Sequence, residues 1–116
     1  MFRSVQIHGP VDQVPGLRQR LEAVTPLLAD ELRSAADRIT LLWHVRPTGP
    51  GRVSVECELT DHAFGRETQL FDPGDFAGDL DEVRYQIRWM HIRILNAYLD
   101  ERVEEYKRHL AQPAEV

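Results

Sequence analysis

The chain is predicted to fold as a single small α+β domain, in which a small antiparallel sheet (a β-hairpin plus one or two further strands) packs against an amphipathic N-terminal helix and a long C-terminal helix. Three patterns carry that prediction. Apolar residues recur every three or four positions from Val14 to Ala35, alternate with polar residues from Ile39 to Thr60 around a Pro/Gly turn, and return to helical spacing from Leu80 to Leu110. The expected order is β-α-β-β-(β)-α. A length of 116 residues suffices for one core and not two. We assign residues 1–112 to the domain and 113–116 to a short C-terminal tail.

The first strand is read from Phe2 to His8, where Val5 and Ile7 share one side, Ser4 and Gln6 the other, and Gly9-Pro10 ends the run. Val14, Leu17, Leu21, Val24, Leu28, Leu32 and Ala35 then form one helical stripe. Asp12 is placed to cap its first turn. Thr25-Pro26 has the form of a helix start and predicts a kink or restart inside the stripe.

From Ile39 the period is two. Ile39, Leu41, Trp43 and Val45 lie on one face and Thr40, Leu42, His44 and Arg46 on the other; after the turn Pro47 to Gly51, Val53, Val55, Cys57 and Leu59 point inward. Paired residues must share a face, so Trp43 opposes Val55 or Cys57, and His44 opposes Ser54 or Glu56. Gly65 to Phe71 is a candidate third strand of this group. Asp72-Pro73-Gly74-Asp75 is a turn, and Asp79 with Glu82 has the spacing of a capping box before the last helix.

That last helix is predicted to be about 45 Å long, more than a compact domain of this size spans. One face carries Tyr85, Trp89, Ile92, Asn96, Leu99, Val103, Tyr106 and Leu110 at spacings alternating four and three, a coiled-coil-like seam. The opposite face carries Leu80, Val83, Ile87, Met90, Ile94 and Ala97. A helix apolar on both sides needs cover on both, and a second copy of the chain is the simplest cover for the seam. Asn96 inside the seam is either a device that fixes register and partner number or an amide satisfied locally.

Between the two faces, one flank lines up Arg84, Arg88, His91, Arg102 and His109. It reads either as an anion-binding stripe, with Arg84, Arg88, His91 and Arg102 as its ligands, or as a solvated flank with ion pairs to Asp30 or Glu31. A net charge of −5 and the lack of aromatic residues interleaved with the stripe argue against nucleic acid as partner. No metal, cofactor or catalytic residue is assigned: the histidines lack His-x-x-x-His or His-Glu-x-x-His spacing, no serine sits in a Gly-x-Ser-x-Gly turn, and no glycine loop leads into a helix. Cys57, the single cysteine, falls on the inward side of its strand. His44, Glu56 and Glu58, with Asp61 or His62, form a surface cluster whose ordinary reading is the wet face of the hairpin.

The sequence therefore predicts a cytoplasmic protein, neither exported nor membrane-spanning, that acts without catalysis as a regulatory, adaptor or immunity-type interaction module. Its expected partner is a second copy or a heterologous protein, met through Tyr85, Trp89, Ile92, Asn96, Leu99, Val103, Tyr106 and Leu110. Two rivals remain: a nucleic-acid-binding dimer using the Arg84/Arg88/His91 flank, and a small-molecule or catalytic domain whose pocket between hairpin and helix gathers Tyr85, Trp89, His44 and Glu56.

Overall fold

The computed structural model describes residues 1–112, so the tail at 113–116 lies outside the described residues. Four strands, β1 (Ser4–His8), β2 (Ile39–Gly49), β3 (Arg52–Asp61) and β4 (Gly65–Phe71), form one sheet in the order β1-β2-β3-β4, and the helices are α1 (Leu17–Leu32) and α2 (Asp81–Ala111). Short 3-10 turns at Val11–Gln13, Arg33–Arg38 and Pro73–Phe76 join them.

The sheet is mixed, not wholly antiparallel as expected. β1 runs parallel to β2, from Ser4 opposite Thr40 to His8 opposite His44. The reason is the intervening helix: α1 carries the chain back along the sheet, so β2 starts from the same end as β1. Alternation in a sequence has no direction and could not reveal this. At the end of β1 the chain passes so close to β2 that a Cβ on Gly9, whose φ is +96°, would collide with the Val45 carbonyl.

The hairpin follows the parity argument. Trp43 opposes Cys57 and His44 opposes Glu56, with a register shift between Pro47 and Gly49 before the turn. β4 pairs antiparallel with β3, from Val55 opposite Phe71 to Asp61 opposite Gly65.

Three local expectations are corrected. α1 runs through Pro26 without restarting. Proline removes one N–H bond, to the carbonyl of the exposed Glu22, where water can replace it, and the Thr25 hydroxyl donates to the Leu21 carbonyl at 2.7 Å instead of capping. Nor does Asp12 cap α1; its carboxylate accepts two bonds from Arg18. The capping box belongs to the preceding turn, where Asp72 and Asp75 satisfy each other's backbone N–H groups. Asp79 only accepts from the Asp81 N–H at 2.9 Å, and Glu82 holds Gln86.

Both helices cover one face of the sheet. Leu17, Leu21, Val24 and Leu28 of α1 and Val83, Ile87, Met90 and Ile94 of α2 bury themselves against Ile39, Leu41, Trp43, Val55, Cys57 and Leu59. Trp43 sits edge-on to Phe71 and Phe76 in this core. Among the described residues no helix or strand covers the other face of the sheet. The molecule measures 69 × 31 × 22 Å with a radius of gyration of 17.9 Å, against about 13 Å for a compact chain of this length. The excess comes from α2, whose 31 residues span about 46 Å.

Candidate functional site

α2 has a core side and an outward side. With 100° per residue, Val83, Ile87, Met90 and Ile94 cluster on the sheet side, where they are buried, and the seam residues centre almost opposite them. Every residue from Leu99 to Ala111 is exposed. Those thirteen residues project roughly 20 Å beyond the last packed turn, which ends where Tyr98 meets Phe64 at 4.9 Å.

The seam is exposed along nearly all its length. Tyr85, Trp89, Leu99, Val103, Tyr106 and Leu110 range from 40% exposed at Trp89 to 64% at Leu110, Asn96 is exposed, and Ile92 is half-buried. Tyr85 and Trp89 stack edge to face at 6.1 Å, making a broad aromatic base to the stripe. Taking large side chains at 150–250 Å² each, the six residues expose on the order of 600 Å² of mostly apolar surface. That is the upper end of what ordinary monomers leave open. Ala97, expected on the core side, is exposed because the sheet ends before it.

The basic flank is internally paired. Arg84 and Arg88 each donate to one oxygen of Glu31 at 3.1 Å, joining α2 to the end of α1, and Arg102 contacts Glu101 and Glu105. His91 leaves the flank altogether. It is buried, with Nε2 2.9 Å from Asp61 Oδ2. An ionised carboxylate only accepts, so Nε2 carries the proton of that bond.

Asp61 is the residue that sequence reasoning underrated. Its carboxylate is buried and also accepts from Arg38 Nε and Nη2, at 3.2 and 3.1 Å, and from the Ala63 N–H at 3.0 Å. Burial alone would raise its pKa, but the bonds from Arg38, His91 and Ala63 outweigh it and hold the carboxyl below the usual 3.8. The cluster fastens the end of β3, the turn before β2 and the middle of α2 to one another. A signal was present: Asp61 continues the inward parity Val53, Val55, Cys57, Leu59, which places a charge in a core register.

On the uncovered sheet face, His44 Nε2 donates to Glu58 Oε2 at 3.1 Å, Arg66 bridges to Glu58, and Arg46 lies 3.7 Å from Glu56. These contacts are those of a polar sheet surface. His44 and Glu56 lie on the face opposite the helices, so they do not meet Tyr85 and Trp89 in a pocket between hairpin and helix. Among the described residues no group of His, Cys, Asp or Glu is arranged to hold a metal ion. Cys57 is fully buried and its thiol pKa is pushed strongly upward by burial, which suppresses the nucleophilic thiolate. The concavities include one of 390 Å³ between β4 and the start of α2, lined by Asp75, Asp79 and Glu82, an open one of 510 Å³ lined by Glu31, Arg84, Tyr85 and Arg88, an open one of 450 Å³ lined by Glu58, Arg66, Glu67 and Thr68, and an apolar one of 400 Å³ formed by Phe2, Val5 and the Pro26 turn of α1.

The fold and its most distinctive surface thus define a mixed α+β domain with a projecting, outwardly apolar helix. No family model matches the chain, and comparison with curated proteins and with solved structures returns no match either. No helix is long and apolar enough to cross a membrane among the described residues.

Proposed function

We propose that this protein is a non-enzymatic interaction module of a regulatory, adaptor or immunity type, and that it acts as a homodimer through the outer face of α2. The observation that supports this reading is the run Leu99, Val103, Tyr106 and Leu110, four large apolar side chains at heptad spacing on helix turns whose every residue is exposed. A thirteen-residue stretch of helix is marginal in water by itself, and an apolar stripe on it favours association. A catalytic role has no comparable support from the side-chain clusters. An anion-binding role is weakened because Arg84, Arg88, His91 and Arg102 already hold carboxylates. The buried free thiol of Cys57 suits the reducing cytoplasm, which is the compartment we propose.

The test is light scattering on wild type beside Leu99→Glu/Val103→Glu. Both substitutions lie beyond the packed domain and leave its core intact, so the thermal transition should be kept. The wild type is expected at dimer mass and the variant at monomer mass; a variant that keeps the wild-type mass would refute this use of the seam.

A further inference from the structure

We infer that the second copy lies antiparallel along α2, with the tip of each helix covering the Tyr85/Trp89 base of the other. This rests on the homodimer reading and adds its direction and register. Charge at the positions flanking the seam sets the direction. In the heptad that places Tyr85, Ile92, Leu99 and Tyr106 at d and Trp89, Asn96, Val103 and Leu110 at a, the e positions are Gln86, Arg93, Asp100 and Lys107. The g positions are Arg88, Leu95, Arg102 and His109.

A parallel pair sets each g residue beside the e residue of the partner's next heptad. That opposes Arg88 to Arg93 and Arg102 to Lys107, each twice, giving four like-charge contacts with only Leu95 and Asp100 to offset them. An antiparallel pair instead sets a against d, e against e and g against g. One register uses the whole seam: Tyr85 meets Leu110, Trp89 meets Tyr106, Ile92 meets Val103 and Asn96 meets Leu99, each pairing made twice across the two-fold. In it Arg93 faces Asp100 twice and no two arginines or lysines oppose each other.

The neighbouring antiparallel registers are worse. One heptad toward the tips, Asp100 opposes Asp100, Arg102 opposes Arg102 and Arg93 opposes Lys107. One heptad toward the base, Arg93 opposes Arg93, Arg88 opposes Arg102, and Leu110 runs past the end of the helix. Overlap of the tips alone pairs Asp100 with Lys107 but leaves Tyr85, Trp89 and Ile92 uncovered.

The structure supplies suitable partners for the favoured register. Asp100 is exposed and forms no ion pair among the described residues. Arg93 is 44% exposed; Nε and Nη2 hold Glu67 and Gln69, and Nη1 forms no ion pair among the described residues. The aromatic base at Tyr85 and Trp89 and the bare tip at Tyr106 and Leu110 complement each other in position. Doubling the open seam across the two-fold gives on the order of 1,200 Å², the lower bound of a standard specific interface.

The test is a charge-reversal cycle on the full chain, read by dimer dissociation constant in sedimentation. Asp100→Arg and Arg93→Glu should each weaken the dimer about tenfold, and the double variant should recover most of that loss. A parallel dimer predicts otherwise: Asp100→Arg changes little, Arg93→Glu relieves Arg88 and tightens the dimer, and the two do not compensate. Because Arg93 also holds Glu67, a second measurement avoids it. A spin label on Arg108→Cys, with Cys57 buried and unreactive, should report a separation beyond about 30 Å between copies, whereas parallel helices would bring the labels within about 25 Å. A dimer with the short separation, or with the parallel pattern of effects, overturns the orientation and leaves the dimer standing; a wild type that is monomeric throughout overturns both.

Discussion

Replacing Asp61 with alanine removes the common acceptor of four hydrogen bonds, from Arg38 Nε and Nη2, His91 Nε2 and the Ala63 N–H, at 2.9 to 3.2 Å. The partners lose unequally. Arg38 is 41% exposed and turns to water, so its share is that of a surface pair, whereas His91 is buried and is left with an unpaired donor. Breaking one partner of a buried charged cluster gives an expected loss of about 3 to 4 kcal/mol, and Asp61→Asn, which keeps the shape and one acceptor, about 2 kcal/mol. Urea unfolding with an unchanged m-value is the assay. A double-mutant cycle should give an Asp61/His91 coupling about twice the Asp61/Arg38 coupling. A loss under about 1 kcal/mol for the alanine variant would refute the reading of Asp61 as the fastening of β3 to α2.

Acid should act on the same group. The native carboxyl is held below 3.8, so its stabilisation is present above that value and is lost as pH falls through the lower native one; Asp61→Asn should flatten the acid limb of the stability curve, and an identical limb in both proteins would contradict it. Trp43 Nε1 is buried without a hydrogen-bond partner among the described residues, so Trp43→Phe sheds an unsatisfied donor while opening a cavity. Its net cost in thermal unfolding should stay under about 2 kcal/mol, and a cost above about 4 kcal/mol would mean that the indole N–H is satisfied after all. Glu31→Ala frees Arg84 and Arg88 together. Retention on heparin should rise and fall again with salt while stability drops by about 1 kcal/mol, and unchanged retention would show that the flank is not held neutral by Glu31.

The elements that could be read from the sequence were those governed by a single periodicity. Alternation places Trp43 and Cys57 on one face and His44 and Glu56 on the other, because a one-residue slip would turn the buried face outward. Helical spacing likewise separated Val83, Ile87, Met90 and Ile94 from the residues that remain open. What escaped depends on distant parts of the chain meeting. The parallel direction of β1 follows from the path of α1, and the continuity of α1 through Pro26 from packing that outweighs one lost hydrogen bond. Helical spacing puts His91 on a basic flank, and a helical wheel cannot show that Asp61 arrives beneath it from β3. Glu31 was among the expected partners of that flank, and it takes both Arg84 and Arg88.

The outer face of α2 needs a second copy to cover it if the chain acts as a dimer. Sedimentation equilibrium of the full chain over a wide range of concentration measures this directly. The predicted result is a mass twice the 13.4 kDa of the chain, falling toward one chain only on dilution, with the high-concentration limit fixed at two. A mass of one chain at every concentration would contradict it.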